Sequence, residues 1–254
     1  MLIWLPPSEG KTLPVRGRSL DLDALASPSL TDTRRTLVDA LVDLASQDPT
    51  KAAEVLGLGP TQADAVARDA RLWDLPTARA DRVYSGVLFA ALDLASLEGS
   101  ARRRATSRLA VASALFGVVR PGDRIPAYRL SGGTSLPGVG PVAAAWRAPL
   151  AAEVPALVGS GLLVDLRSST YAALFRPGRD LAPRTATVRV LQEKDGRRSI
   201  VSHFNKATKG AIARALLVED VDVRRVDALA DALRDLGWTV EQEGTRLDVV
   251  VTET

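Results

Sequence analysis

An apolar run at residues 109–119 ends abruptly in a polar, proline-rich loop, and this stretch limits the possible folds most strongly. The run, LAVASALFGVV, has the length and composition of a buried strand, which can continue into a short helix. Functional side chains are commonly mounted where such strands end, and Pro121 and Pro126 restrict the loop that follows. A proline-rich turn with surface arginines explains the same residues. The loop carries Arg120, Asp123, Arg124, Tyr128 and Arg129.

Composition excludes several classes of protein. The chain has no cysteine, so disulfides, thiolate catalysis and cysteine metal sites are ruled out. The single histidine, His203, supports neither a transition-metal site nor a catalytic triad, and we expect it to be structural, within a strand. We therefore expect no metal and no cofactor. The N-terminus does not resemble a secretion signal and no apolar stretch is long enough to span a bilayer, which predicts a cytoplasmic protein without a membrane partner.

The charge balance is basic and strongly biased toward arginine. The formal net charge is +3, the pI is about 9.5, and the sequence contains 28 arginines but only five lysines. A lysine in such a chain can mark a place that needs a compact, titratable amine. Lys11, Lys206 and Lys209 all lie in motif-like segments.

Helical and strand patterns alternate along the whole chain and predict one α/β (mixed α+β) domain over residues 1–254. We expect a mixed central sheet flanked by helices, and a monomer. Predicted strands lie at residues 1–5 and 162–166, and two hairpins pair 185–192 with 198–204 and 239–241 with 246–251. Predicted helices are 31–46, 48–56, 61–72, 142–150, 153–160, 168–175, 207–217 and 222–236.

The segment VLGLGPTQADAVAR has the pattern of a helix-hairpin-helix, at about residues 48–72. Glycines in the turn let the backbone approach a phosphate, and the amides at the start of the second helix point at the anion. Such contacts position a duplex without reading its sequence. A plain hairpin of two helices closed by glycines is the alternative interpretation. The predicted DNA-binding residues are Leu56, Gly57, Leu58, Gly59, Thr61, Gln62, Arg68 and Arg71.

Several predicted strands end in polar elbows that can converge on one basic cleft. PPSEGKTL follows the first strand, but its spacing and its two prolines exclude a phosphate-binding P-loop. VDLRSSTYAALF and VSHFNKATKG are both strand-to-helix elbows, whose helix N-termini suit anions, although simple capping explains the serines as well. The predicted cleft residues are Lys11, Thr12, Tyr84, Arg120, Asp123, Tyr128, Arg129, Ser168, Tyr171, Lys206 and Lys209.

Taken together, these segments resemble the YaaA family of peroxide-stress proteins. The resemblance covers essentially the whole chain in family order. It includes KTL at residues 11–13, VYSG at 83–86, LFGVVRP at 115–121, PAYRL at 126–130, Trp146, the elbow at 166–171, Phe204, Lys206, Lys209 and Gly210.

This resemblance implies a cytoplasmic bacterial protein that limits oxidative damage by hydrogen peroxide and is linked to lower free iron. It also implies a fold special to the family and binding of duplex DNA through a helix-hairpin-helix and a positive cleft. Two features depart from the family: the first motif is PPSEGKT rather than the shorter SPAKT form, and Lys209 replaces a frequent arginine.

Two functional hypotheses follow from the sequence. The first is a DNA-binding stress protein that grips phosphates at the hairpin and along the cleft. The second is an enzyme that acts on a phosphorylated or nucleotide-like molecule, with lysine, tyrosine and carboxylate groups as nucleophile or acid and base. A small anionic ligand fits the second hypothesis, and the two do not exclude each other.

Overall fold

The computed structural model describes residues 1–194, 197–199 and 202–252. Its central strand, β1 (Leu2–Leu5), is buried along its whole length, and its sequence LIWL is apolar throughout, as expected for a strand covered on both faces. β1 runs parallel to a strand on each side, so that Trp4 lies level with Ala110 on one neighbour and with Asp165 on the other.

The main sheet is mixed. Besides β1, it contains Leu109–Ser113 (β3), Gly117–Val119 (β4), Leu163–Asp165 (β8), Thr185–Lys194 (β9), Arg197–Ser199 (β10), Thr239–Glu243 (β11) and Arg246–Thr252 (β12). The strand order is β11-β12-β9-β8-β1-β3-β4, with β10 paired to β9. The strands from β12 to β3 are parallel to their neighbours, whereas β4, β10 and β11 pair antiparallel. Two small ribbons pair β2 (Ala78–Arg79) with β5 (Arg124–Ile125) and β6 (Ser135–Leu136) with β7 (Gly140–Pro141).

Helices flank this sheet, which confirms the mixed α/β class predicted from the sequence. α1 buries Leu37, Val38 and Leu41, and α10 buries Leu229 and Leu233, as their helical spacing predicts. Within the described residues, no helix is both long and apolar enough to cross a membrane. The helices are α1 (Thr31–Gln47), α2 (Pro49–Val55), α3 (Ala63–Asp69), α4 (Ala80–Val83), α5 (Val87–Leu92), α6 (Gly99–Arg108), α7 (Val142–Val158), α8 (Ser169–Ala172), α9 (Ser202–Val218) and α10 (Val226–Asp235).

The apolar run at residues 109–119 is a hairpin, and the predicted continuation into a short helix is wrong. β3 and β4 pair antiparallel, with Ser113 opposite Gly117. The Ser113 hydroxyl accepts a hydrogen bond from the Phe116 amide at 2.9 Å, which closes the turn. Gly117 has a φ of +72°, and a Cβ there would lie 2.6 Å from the Trp146 ring, so only glycine fits this turn.

Residues 142–158 form one helix, α7, where two helices were predicted. Pro149 and Pro155 lie inside α7, although each removes a backbone hydrogen bond. Trp146, Leu150 and Val154 are buried on one face of this helix. Packing of that face holds the helix together across both prolines.

The second strand of the 185–204 hairpin is shorter than predicted. β10 ends at Ser199 and α9 begins at Ser202, so His203 lies in the first turn of a helix and not in a strand. The predicted turn residues, Asp195 and Gly196, lie outside the described residues. Packing of α9 against α5 explains the longer helix, because it stabilises more of the segment than its sequence propensity suggests.

Candidate functional site

The strand order of the sheet reverses at β1. After β1 the chain first adds β3 on one side and later returns to add β8 on the other side. Ligands of open α/β sheets bind where the strand order reverses in this way, outside the carboxyl ends of the strands. The segment that leaves β1 at this point contains Lys11.

The amine of Lys11 lies against two tyrosine rings. Its Nζ is 4.1 Å from the centre of the Tyr128 ring and 5.8 Å from the centre of the Tyr84 ring, and it donates to the Ser8 carbonyl at 3.0 Å. Lys11 also pairs with Tyr84 through an isolated β-bridge, and the Thr12 amide donates to a carbonyl of α4 at 2.9 Å. The segment after β1 is therefore fixed, and its partly buried amine has a defined position.

A chain of hydroxyl groups lies beside this amine. The Tyr84 and Tyr128 hydroxyls are 3.1 Å apart, and the Tyr128 hydroxyl is 2.8 Å from Oγ of Ser113, the last residue of β3. Burial raises the pKa of Tyr84 to about 12 and raises that of Tyr128 well above its usual value. Both phenols therefore stay protonated at neutral pH and can donate hydrogen bonds or protons.

Burial also lowers the pKa of Lys11 to about 8. The cations Arg129 and Arg68 lower it further, whereas Glu9 and Asp69 oppose the shift. A substantial fraction of the amine is therefore neutral near pH 8, and a neutral amine is the nucleophilic form.

Asp69, the last residue of α3, is a site residue that the sequence analysis missed. Its side chain is fully buried, its Oδ1 accepts from the Arg129 amide at 3.0 Å, and its Oδ2 has no hydrogen-bond partner among the described residues. Burial raises its pKa to about 7, and the hydrogen bond from Arg129 limits the rise. No sequence signal marked this residue, because its role depends on a contact sixty positions away along the chain.

Two arginines accompany Asp69 at the site. Arg129 forms an ion pair with Glu9, Nη1 to Oε2, at 2.8 Å. Nε of Arg68 is buried and has no hydrogen-bond partner within the described part of the chain. The cluster thus combines an amine with a carboxylate oxygen of Asp69 and a guanidinium nitrogen of Arg68, both of which lack a hydrogen-bond partner among the described residues.

The elbow after β8 brings Lys209 to the neighbouring strand end. Arg167 is buried, binds the Asp165 carboxylate through two nitrogens at 2.9 and 2.7 Å, and lies 3.9 Å over the Trp4 ring. Nζ of Lys209 donates to the Arg167 carbonyl at 3.2 Å, and burial lowers the pKa of Lys209 to about 8. Arg167 therefore fixes the elbow, and Lys209 is held by it.

Gly210 sets the position of Lys209. A Cβ at Gly210 would lie 2.2 Å from the Leu88 carbonyl oxygen, so α9 and α5 touch backbone to backbone. This contact brings the first half of α9, with exposed Lys206, beside the start of α5, which follows the turn after Tyr84.

Ser168 and Tyr171 lie on the same elbow. Ser168 is exposed and its carbonyl accepts from the Ala172 amide, so it caps the four-residue helix α8 through its backbone rather than its hydroxyl. The Tyr171 side chain is buried, and burial raises its pKa. Glu9 and Tyr84 act electrostatically on the Tyr171 hydroxyl, which therefore lies near the Lys11 cluster.

The structure does not bring Arg120 to this cluster, whereas Asp123 acts electrostatically on Tyr84. Arg120 Nη1 donates to the carbonyl of Leu109, the first residue of β3, whereas Tyr128 contacts Ser113, the last residue of the same strand. The four residue steps between these points span about 13 Å. The Asp123 carboxylate accepts from two backbone amides and so fixes the loop.

The predicted DNA-binding segment is two short helices joined by a glycine turn. Gly57 has a φ of +62°, and the Leu58 amide donates to the Ala53 carbonyl at 2.8 Å, which is a Schellman end for α2. The Gly59 amide donates to the Gln62 side chain at 3.3 Å. A Cβ added at Gly57 or at Gly59 would meet no atom within 4 Å, so the turn is open to a ligand.

The hairpin itself is not basic. Residues 48–72 contain four acidic side chains and three basic ones, and exposed Asp64 lies in the first turn of α3, where a bound phosphate would approach. Leu56 is buried, whereas Thr61, Gln62 and Arg71 are exposed. Any positive charge for a duplex therefore comes mainly from arginines outside the turn.

An open groove of about 740 Å³ lies between α1 and residues 137–139, away from Lys11. Its walls carry Asp39, Asp43 and Asp48 against a single cation, Lys51. The carboxylates disfavour a polyanion in this groove, so the size of a groove alone does not identify the functional surface.

Among the described residues, no three His, Asp or Glu side chains cluster closely enough to hold a metal ion.

The fold and the cluster define an α/β protein with a lysine–tyrosine site at the point where its strand order reverses. The sequence profile of the peroxide stress protein YaaA matches residues 1–244, and the chain belongs to this family. It is 48% identical over 260 residues to a UPF0246 protein of Streptomyces coelicolor, covering 100% of this chain and 99% of that protein. A UPF0246 protein of Corynebacterium efficiens is 42% identical, with 95% of each chain covered.

Proposed function

We propose that the chain acts in the peroxide-stress response by binding duplex DNA through the turn between α2 and α3. The observation that carries this proposal is the open glycine turn. The Gly59 amide forms only a long bond to Gln62, which a phosphate oxygen can replace, and neither glycine would obstruct the approach of that phosphate.

Exposed cations beyond the far end of α3 can contact the same duplex and support this orientation of the DNA. Arg71 is exposed just after α3, and exposed Arg35 lies 5.8 Å from the ring of Trp73. α3 also leads directly from the turn to Arg68 and to the Lys11 cluster. A duplex held at the turn therefore lies beside the carboxyl end of β1.

The test is the affinity for a labelled duplex of arbitrary sequence, measured at several salt concentrations. Gly59 has a φ of −79° and a ψ of 169°, which any residue can adopt, so Gly59→Leu fills the phosphate position without straining the backbone. We expect about a tenfold loss of affinity, the equivalent of one charge-assisted hydrogen bond. Gly178→Leu, at another exposed glycine with no atom within 4 Å of its Cβ position, is the matched control.

Variants that change a single charge provide a second, independent test of DNA binding at the hairpin. Arg71→Ala should weaken binding and lower the slope of log affinity against log salt by about one phosphate contact. Asp64→Asn should strengthen binding, because it removes a negative charge where the phosphate approaches. Unchanged affinity in folded Gly59→Leu, together with no response to either charge variant, would contradict DNA binding at the hairpin.

The second candidate function is an enzyme that acts on a small phosphorylated molecule at the carboxyl end of β1. The observation that favours it is the Lys11 amine, fixed over Tyr128 beside the unpartnered Oδ2 of Asp69. A thermal-shift titration with ribose 5-phosphate tests it: stabilisation of the wild type that disappears in Lys11→Met supports a small-molecule site, and no stabilisation counts against one.

A further inference from the structure

We propose that Lys11 forms a covalent imine with the aldehyde of an abasic deoxyribose in DNA held at the α2–α3 turn. The proposal rests on the proposed DNA binding and adds a chemical step to it. The ligand class that suits the site is a phosphorylated sugar with an aldehyde group. A free sugar phosphate shares this chemistry and is distinguished by experiment.

The position of Lys11 suits a nucleophilic amine. Backbone contacts fix its segment, and its Nζ lies between a carbonyl of Ser8 and the face of Tyr128. The side chain is only partly buried, so a ligand can reach it. With a pKa of about 8, the amine is available in its neutral form at much lower pH than an exposed lysine.

The groups around Lys11 suit a sugar with flanking phosphates. The unpartnered Oδ2 of Asp69 can accept from a sugar hydroxyl, and the unpartnered Nε of Arg68 can donate to a phosphate oxygen. Arg129 is paired with exposed Glu9, and a phosphate can replace that carboxylate. Within the described part of the chain these two buried atoms lack partners, which is costly in a folded protein, and a ligand that reached them would satisfy both.

The connection between the turn and Lys11 is short. α3 has seven residues and is about 10 Å long, and its last two residues act electrostatically on the Lys11 amine. A nucleotide turned out of the duplex can cover such a distance, and the cost of extrusion is low when the nucleotide has no base to unstack. Abasic deoxyribose is therefore the lesion that this geometry reaches most easily.

The step balances without a further reactant. The neutral Nζ attacks the aldehyde carbon, the carbonyl π pair moves to oxygen, and a proton passes from nitrogen to that oxygen to give the carbinolamine. The C–O bond then breaks, the second amine proton leaves with the oxygen as water, and a C=N bond forms. The protonated hydroxyls of Tyr84 and Tyr128 can supply the proton that assists loss of water.

Borohydride trapping tests the proposal, because it reduces an imine to a stable amine. The full-length protein is incubated with a labelled duplex that contains one abasic site, with the intact duplex, or with ribose 5-phosphate, and is then reduced. We expect a cross-link with the abasic duplex alone, located at Lys11 by peptide mass spectrometry. Its rate should rise with pH, reach half of its maximum near pH 8 and level off at higher pH. Burial lowers the pKa of the amine to about 8, and the charged groups that face it, Glu9, Arg129, Asp69 and Arg68, modify that shift.

Each outcome decides between the possibilities. Loss of the cross-link in Lys11→Met but not in Lys51→Met, an exposed lysine on α2, supports the proposal. If ribose 5-phosphate labels Lys11 and the abasic duplex does not, the aldehyde that reacts with Lys11 comes from a free sugar phosphate, and its assignment to DNA is overturned. Tight binding of the abasic duplex without any cross-link would overturn the imine while leaving DNA binding intact, and failure to bind either duplex would overturn the proposed function itself. Mass spectrometry on the wild type gives an answer even if a Lys11 variant fails to fold.

Discussion

Asp69→Asn is the perturbation that tests the description of the site most directly. Asp69 is fully buried, its Oδ1 is held by the Arg129 amide, and its Oδ2 is unpartnered among the described residues. The variant keeps the shape of the side chain and the acceptor for Arg129, but it cannot ionise. Its stability therefore lacks the pH dependence that the buried carboxyl group contributes.

The magnitude follows from the pKa of about 7 in the folded state against an ordinary value of 3.8. Because this pKa is raised, the folded state holds a proton that the unfolded state releases between about pH 4 and pH 7. The group's contribution to stability is therefore lost as pH rises through that range, and it is fully lost above pH 7. Between pH 5 and pH 8 the loss is about 3 kcal/mol.

The assay is urea unfolding of both proteins at pH 5 and at pH 8. We expect the free energy of unfolding of Asp69→Asn, minus that of the wild type, to increase by about 3 kcal/mol between the two pH values. Any constant cost of placing an amide at this position cancels in the comparison. Asp64→Asn, which removes an exposed carboxylate from the same helix, controls for the loss of one negative charge. A difference that stays flat with pH would refute the description of Asp69 as a buried, weakly compensated carboxyl group.

Two further predictions concern the supports of the site. Gly210→Ala should destabilise the protein by at least about 1–3 kcal/mol, because its Cβ would lie 2.2 Å from a backbone oxygen of α5, whereas Gly178→Ala should leave the melting temperature nearly unchanged. Arg167→Met should cost about 3–5 kcal/mol in urea unfolding, because it leaves the buried Asp165 carboxylate without its partner. A melting temperature equal to that of the wild type in either variant would contradict the corresponding contact.

Apolar patterning predicted several strands and helices of the core. β1, α1 and the final hairpin were located from local sequence, since LIWL is uniformly apolar and α1 repeats leucine at helical spacing. The errors lie where tertiary contacts override local signals. The β3–β4 turn depends on Trp146 packing against Gly117, and α7 continues through two prolines because its buried face packs along its whole length. Neither contact is visible in a local window.

The strand-end elbows predicted part of the site. Lys11, Tyr84, Tyr128 and Arg129 do come together, because the parallel arrangement of β1 and β3 brings their carboxyl ends to one edge of the sheet. The sequence also suggested Arg120, which the hairpin geometry carries to the opposite end of β3.

Asp69 links the two halves of the proposed function. Its helix starts at the turn proposed to hold the phosphate, and its carboxylate holds the backbone of Arg129 at the Lys11 cluster. A shift of α3 on DNA binding would therefore move a buried carboxylate that sits beside both the amine and the Glu9–Arg129 ion pair. Because the Asp69 carboxylate raises the pKa of Lys11, moving it away lowers that pKa and favours the neutral, nucleophilic amine. The same displacement would free the Arg129 amide for a phosphate oxygen, so occupancy of the turn would prepare both the nucleophile and an anion-binding group.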